Sequence, residues 1–196
     1  PTLDNYVALL DTDLWRATAP IDGPQWGLWP TGGAWLSVVL FERYEHNGDR
    51  AYLQTIYPLL KGSAQFFLDT LVDDPTGRWL VTSPSLSPEN PHPFGTSLAI
   101  GPTMDQQILR DLFACVTKAA RALGVDRAQQ GRWTATRARL APMRIGAAGQ
   151  LQEWLEDWDM QAPERQHRHV SHLYGLYPGR DIDIRRTPGL AAAVKR

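Results

Sequence analysis

The chain has 196 residues, enough for one domain with a sizeable core, and its 43% hydrophobic content excludes disordered and collagen-like classes. Twenty basic and 21 acidic side chains leave a net charge of -1 without long like-charge blocks, so neither nucleic acid nor an anionic membrane is an expected partner. No segment approaches the ~20 apolar residues of a membrane span. One cysteine, Cys115, cannot close an internal disulfide and falls in an apolar helical pattern, where an inert buried thiol is expected.

At the start of the chain, Tyr6, Val7, Leu9 and Leu10 have the look of buried positions, and the run Asp11 to Arg16 gathers two acids, an aromatic and an arginine. Ala19 to Gly33 is rich in proline and glycine and reads as an irregular loop carrying Trp26 and Trp29, which suit the wall of a pocket. From Ala34 the apolar residues recur at helical spacing to Tyr44, with Asn47-Gly48 as the stop, which predicts a buried helix. A second helical stretch runs from about Tyr52 to Val72, and Pro58 favours splitting it in two. Asp73 to Gly77 reads as a turn.

Val81 to Phe94 holds four prolines and three serines, which remove backbone donors and favour turns, so the run is expected to be neither helix nor sheet. It presents one carboxylate, Glu89, between Pro88 and Asn90. After it comes the best-defined helix, with Thr103 as N-cap, Gln106 in capping-box spacing, a stripe from Met104 to Leu123, and Gly124 as the stop. Asp105 in its first turn complements the helix dipole. Asp126 to Leu140 forms a further helix, and Thr187-Pro188 opens a last one. No segment shows a convincing period of two, so the predicted class is all-α, built of antiparallel helix pairs.

Between these last two helices lies a third long loop. It contains an acidic, tryptophan-bearing stretch, Gln150 to Asp159, and three histidines, His167, His169 and His172. Their spacing is not that of a structural zinc site, and the only thiol lies elsewhere, so no metal or other cofactor is assigned. Imidazoles also suit hydrogen bonding to a polyol. Asp157 and Asp159 read as a structural acidic turn pairing with Arg165 or Arg168.

Six stretches, TDLWR, WGLWPTGGAWL, TSPSLSPEN, GPTMDQQILRDLF, GQLQEWLEDWD and HRHVSHLYGLYPG, in this order and spacing, resemble the central part of the family 95 glycoside hydrolases, chiefly α-1,2-L-fucosidases with some α-L-galactosidases. The resemblance covers nearly the whole chain from about Tyr6. It implies that residues 1–196 are part of an (α/α)6 toroid that releases terminal L-fucose with inversion from fucosylated oligosaccharides or glycans. Glu89 matches the family's general acid, and burial in an apolar pocket is expected to keep it protonated. Trp26 and Trp29 are expected to stack on the sugar, and His167, His169 and His172 match the pocket-lining histidine motif. The family's water-positioning Asn-x-Asn motif and the aspartate of its Gln-Ile-Asp-Gly-Asn-Phe motif are not in this sequence. The chain is therefore read as a segment holding the acid without its base and inactive alone, with the remainder of the catalytic domain as its partner. A sugar-binding segment without catalysis, or an α-L-galactosidase of the same family, is the alternative.

Overall fold

A computed structural model of the chain describes residues 24–196, apart from the side chains of Pro24 and Trp26. The expectations for Tyr6 to Leu10, for Asp11 to Arg16 and for the Trp26 ring therefore lie outside the described residues. Helices dominate: α1 (Pro24–Gly27), α2 (Gly32–Asn47), α3 (Arg50–Thr70), α4 (Thr103–Leu123), α5 (Arg127–Arg139) and α6 (Pro188–Val194). Between α3 and α4 lie four two-residue strands, β1 (Val72–Asp73), β2 (Leu80–Val81), β3 (Ser85–Leu86) and β4 (Leu98–Ala99). They pair as two antiparallel ribbons, β1 with β2 and β3 with β4.

The helix stops follow the sequence. Gly48 and Gly124 end α2 and α4 in the left-handed conformation, φ 66° and 77°, which a side chain would disfavour. Asp49 caps α3 by accepting from the Tyr52 N–H at 3.0 Å. Three expectations fail at the ends and interiors. Thr103 is the first helical residue of α4, not its cap, and its hydroxyl donates to the Gln152 carbonyl at 2.6 Å; Gln106 likewise serves a distant segment, accepting from the buried Ala141 N–H at 3.2 Å. Helix α2 buries one face only, leaving Leu36 and Val39 exposed.

The third is Pro58, which lies inside one continuous helix, α3. The carbonyl it deprives of a partner belongs to Gln54, and both residues sit on the exposed face, where water can take that bond.

The sheet expectation also needs correction, since Val81, Ser85 and Leu86 of the proline-rich run are strand residues. Two-residue strands are too short for a period of two, and Ser85 and Leu86 are both buried, so there is no alternation to read.

Helix α4 is the centre of the fold. Ile108, Leu109, Leu112, Phe113 and Val116 are fully buried against Phe41 of α2, Leu53, Leu60 and Phe67 of α3, and Trp133 of α5. Each such side chain contributes about 1.5–3 kcal/mol on burial. Cys115 is buried in the same core and burial pushes its thiol up, so it is inert as expected. The first turn is different, because Thr103, Asp105, Gln106 and Gln107 are polar and equally buried.

Asp105 has no exposed surface and accepts four hydrogen bonds. Its Oδ1 takes the Trp29 indole N–H at 2.7 Å and the Thr31 hydroxyl at 3.0 Å; its Oδ2 takes Thr82 at 2.5 Å and Ser85 at 2.6 Å. Burial pushes the carboxyl above its ordinary range, against the pull of those donors. Dipole complementation is thus the smaller part of its role.

Asp105→Ala, which orphans four buried donors, is expected to lower unfolding free energy by about 3–5 kcal/mol; Asp105→Asn is expected to cost about 1–2 kcal/mol because the hydroxyls can turn to accept. Urea midpoints of the two variants give the comparison. Pro58→Ala restores an N–H for Gln54 and is expected to stabilise by about 1–2 kcal/mol, seen as a raised Tm.

Candidate active site

Glu89 sits at the tip of the loop between β3 and β4, in a turn closed by the Asn90 N–H on the Ser87 carbonyl at 2.8 Å. Pro88 lies within this turn and Pro91 directly follows it, so proline restricts the backbone inside the turn and at its exit. Seventy-nine residues further on, the Arg168 guanidinium meets the Glu89 carboxylate, and the Ser171 hydroxyl donates to the Pro88 carbonyl. The proline-rich loop and the histidine motif, far apart in sequence, are therefore in contact.

Glu89 is not sealed in an apolar pocket as expected: 36% of its side chain is exposed and it is ion-paired. The sealed carboxyl is its neighbour Glu153, only 5% exposed. Glu153 accepts from the Ser87 hydroxyl at 2.6 Å and from the Asn90 amide at 2.9 Å. Burial pushes it up to about 7, with the nearby Asp159 charge adding to the rise and the two donors opposing it.

The three histidines divide. His167 Nδ1 accepts from the His169 backbone N–H at 3.1 Å, and the two rings meet edge to face at 5.2 Å. The His167 ring is nearly covered, whereas His169 is exposed. His172 points inward, with Nδ1 3.8 Å from Glu153 Oε2, beyond hydrogen-bonding reach. Burial pushes its imidazole down to about 4, so it is neutral and forms no ion pair with Glu153. Its backbone is anchored to α4, the Gln107 amide donating to the His172 carbonyl at 2.8 Å. Gly175 follows because a Cβ there would come within 2.9 Å of that amide nitrogen. Among the described residues no group of three His, Cys, Asp or Glu converges as metal ligands would.

Trp29, expected to face a sugar, commits its indole N–H to Asp105 and packs edge to face on Trp35 at 6.1 Å. Asp157 and Asp159 do not pair with Arg165 or Arg168. Asp157 accepts from the Ala147 N–H at 2.7 Å and the Gln150 amide at 2.9 Å, and Asp159 accepts from the Glu153 N–H at 2.9 Å. Both hold turns, and Arg168 is taken by Glu89.

An aromatic group beside the loop escaped the sequence reading. His92 lies 5.0 Å from Trp158 and 5.6 Å from Phe94, and Phe94 lies 5.1 Å from Trp158, with Trp154 buried behind. His92 Nε2 meets the Leu98 carbonyl at 2.8 Å, which makes it the donor, and Nδ1 accepts from the Phe94 N–H at 3.2 Å. This fixes the tautomer and marks His92 as a brace of the loop. Its signal lay in the sequence as a histidine between two prolines, three residues after Glu89.

The chain has recognisable relatives. Residues 2–196 match the glycosyl hydrolase family 95 catalytic domain. Alpha-L-fucosidase 2 of Arabidopsis thaliana is 41% identical over 197 aligned residues, covering 97% of this chain and 23% of that protein. Probable alpha-fucosidase A of Aspergillus niger is 37% identical over 183 residues, covering 91% of this chain and 23% of that protein. The chain thus spans less than a quarter of the length of these relatives. A match along nearly its whole length, over a helical fold with the glutamate loop and histidine motif in contact, places the chain in glycosyl hydrolase family 95, within the catalytic domain.

Proposed function

We propose that residues 1–196 form part of an (α/α)6 toroid in an inverting exo-glycosidase that releases terminal α-1,2-linked L-fucose from oligosaccharides or glycans, and that Glu89 is its proton donor. The observation that carries this reading is the meeting of Glu89 with Arg168 of the histidine motif, which brings a carboxyl and a set of hydroxyl-binding groups to one half-open surface. The names of the Arabidopsis and Aspergillus relatives support the fucoside substrate.

In an inverting mechanism one carboxylic acid protonates the leaving oxygen while a base on the opposite face activates water. A carboxyl contributes one O–H, and the Arg168 guanidinium occupies an oxygen of Glu89 in the free chain. Glycan binding is therefore read as drawing Arg168, itself 65% exposed, off Glu89 and onto sugar hydroxyls. His169 is the imidazole placed to join it, since His167 is covered and His172 faces Glu153. Trp26 and Trp29 are read as the wall for the apolar face of the sugar, Trp29 with its N–H fixed by Asp105 and therefore a rigid one. The base comes from outside this chain.

Glu89→Gln in the enzyme carrying this chain is expected to cut kcat/KM on 2'-fucosyllactose by about 10²–10⁴-fold, the usual contribution of general acid catalysis. Retained activity would remove Glu89 from the mechanism. A matched α-L-galactoside, run alongside, tests the sugar: faster turnover of that substrate would overturn the assignment to fucose while leaving the acid in place.

A further inference from the structure

Two side chains flank Glu89 at the ends of its turn, Ser87 and Asn90, and both are buried and both donate to one carboxylate, Glu153. We propose that Glu153 is the positioning residue for the proton donor, clamping the Ser87–Asn90 turn so that the Glu89 carboxyl is held at the leaving oxygen. This rests on the reading of Glu89 as the acid and goes beyond it by naming what fixes its place.

The clamp is itself fixed on both sides. The Glu153 N–H donates to Asp159 at 2.9 Å, and the Glu153 carbonyl accepts from the Thr103 N–H, also at 2.9 Å, at the start of α4. The Thr103 hydroxyl holds the preceding carbonyl, that of Gln152, at 2.6 Å. Glu153 thereby ties the tip of an irregular loop to the most deeply packed helix of the fold. Without it the turn keeps one backbone hydrogen bond of its own, the Ser171 contact at Pro88 and the exposed Arg168 pair on Glu89 itself. A carboxylate suits the task because its two oxygens accept separately from a hydroxyl on one side and an amide on the other. Glu153 is not placed to act on a sugar, since it is buried and both its oxygens are engaged. Its effect passes through Glu89, and a displacement of that carboxyl by ~1 Å is enough to cost about 100-fold in rate.

The test compares two substrates of the enzyme carrying this chain. In 2'-fucosyllactose the C1–O bond breaks as water attacks C1, and the acid's proton goes to the departing lactose oxygen; in α-L-fucosyl fluoride the C1–F bond breaks as water attacks C1, fluoride leaves unprotonated, and no acid is needed. Glu153→Ala is expected to lose about 100-fold in kcat/KM on the glycan and no more than about threefold on the fluoride. Glu153→Gln is expected to lose about tenfold on the glycan alone, because the Ser87 hydroxyl and the Asn90 amide can both turn to meet it. Equal losses on both substrates, or none on either, would overturn the proposal. If Glu153→Ala does not fold, Ser87→Ala and Asn90→Ala, each removing one bond of the clamp, carry the same comparison. Glu89→Ala serves as the reference. Should that variant lack the selective loss on the glycan, the acid assignment falls and the positioning role with it; should it show the loss while the Glu153 variants do not, the positioning role alone falls.

Discussion

The site depends on the buried polar first turn of α4. Within five residues it ties down most of the irregular chain around the site: Asp105 gathers Trp29, Thr31, Thr82 and Ser85, Thr103 holds Gln152 and Glu153, Gln106 holds Ala141, and Gln107 holds His172. Loops rich in proline and glycine cannot satisfy their own backbone groups or bury enough apolar surface to order themselves. Their order is supplied by one helix end. The apolar remainder of α4 makes that end immobile, because Ile108, Leu112 and Phe113 lock it into the core a turn or two away.

Such an arrangement is costly in isolation. Burying a carboxylate without partners costs several kcal/mol, and even a well-paired buried group contributes less to stability than an apolar side chain of the same size. Asp105 and Glu153 are both held above the ordinary carboxylate range by burial, which is the sign of that cost. What an apolar turn could not do is set directions. A hydrogen bond fixes an angle and a partner, whereas an apolar contact only excludes water, so a polar helix end can place five loop segments where an apolar one would merely cover them.

Much of this was legible in the sequence, and the division between what was and was not has a physical cause. Helices α2, α3 and α4 announced themselves because packing on one face imposes a 3.6-residue period, and Gly48 and Gly124 marked the stops because few other residues take positive φ. The Glu89 loop was legible from its prolines, and its pairing with the histidine motif followed from resemblance, not from any local pattern. Everything joined by side-chain hydrogen bonds across long separations was hidden. Asp105 read as a dipole partner, Gln106 as half of a capping box, and Asp157 and Asp159 as partners for arginines, since each has a local explanation sufficient in the absence of coordinates. Pro58 misled for the opposite reason: the local rule is strong, but its penalty is small on an exposed face where water replaces the lost bond.

Glu89 and Glu153 show how one fold gives two carboxylates different surroundings. Glu89 is part-exposed and touches an exposed guanidinium on the surface; Glu153 is covered and touches two buried donors. A proton donor must reach its substrate and change state during each turnover, so it needs access. A clamp must keep the same bonds throughout, so it needs burial, and the neutral His172 ring beside it adds no competing positive charge. On the roles proposed above, exchanging the two environments would seal the acid from the glycan and let water loosen the clamp. The sequence order Ser87, Pro88, Glu89, Asn90 solves this with the shortest available segment, directing the first and last side chains inward to Glu153 and leaving the glutamate between them facing out.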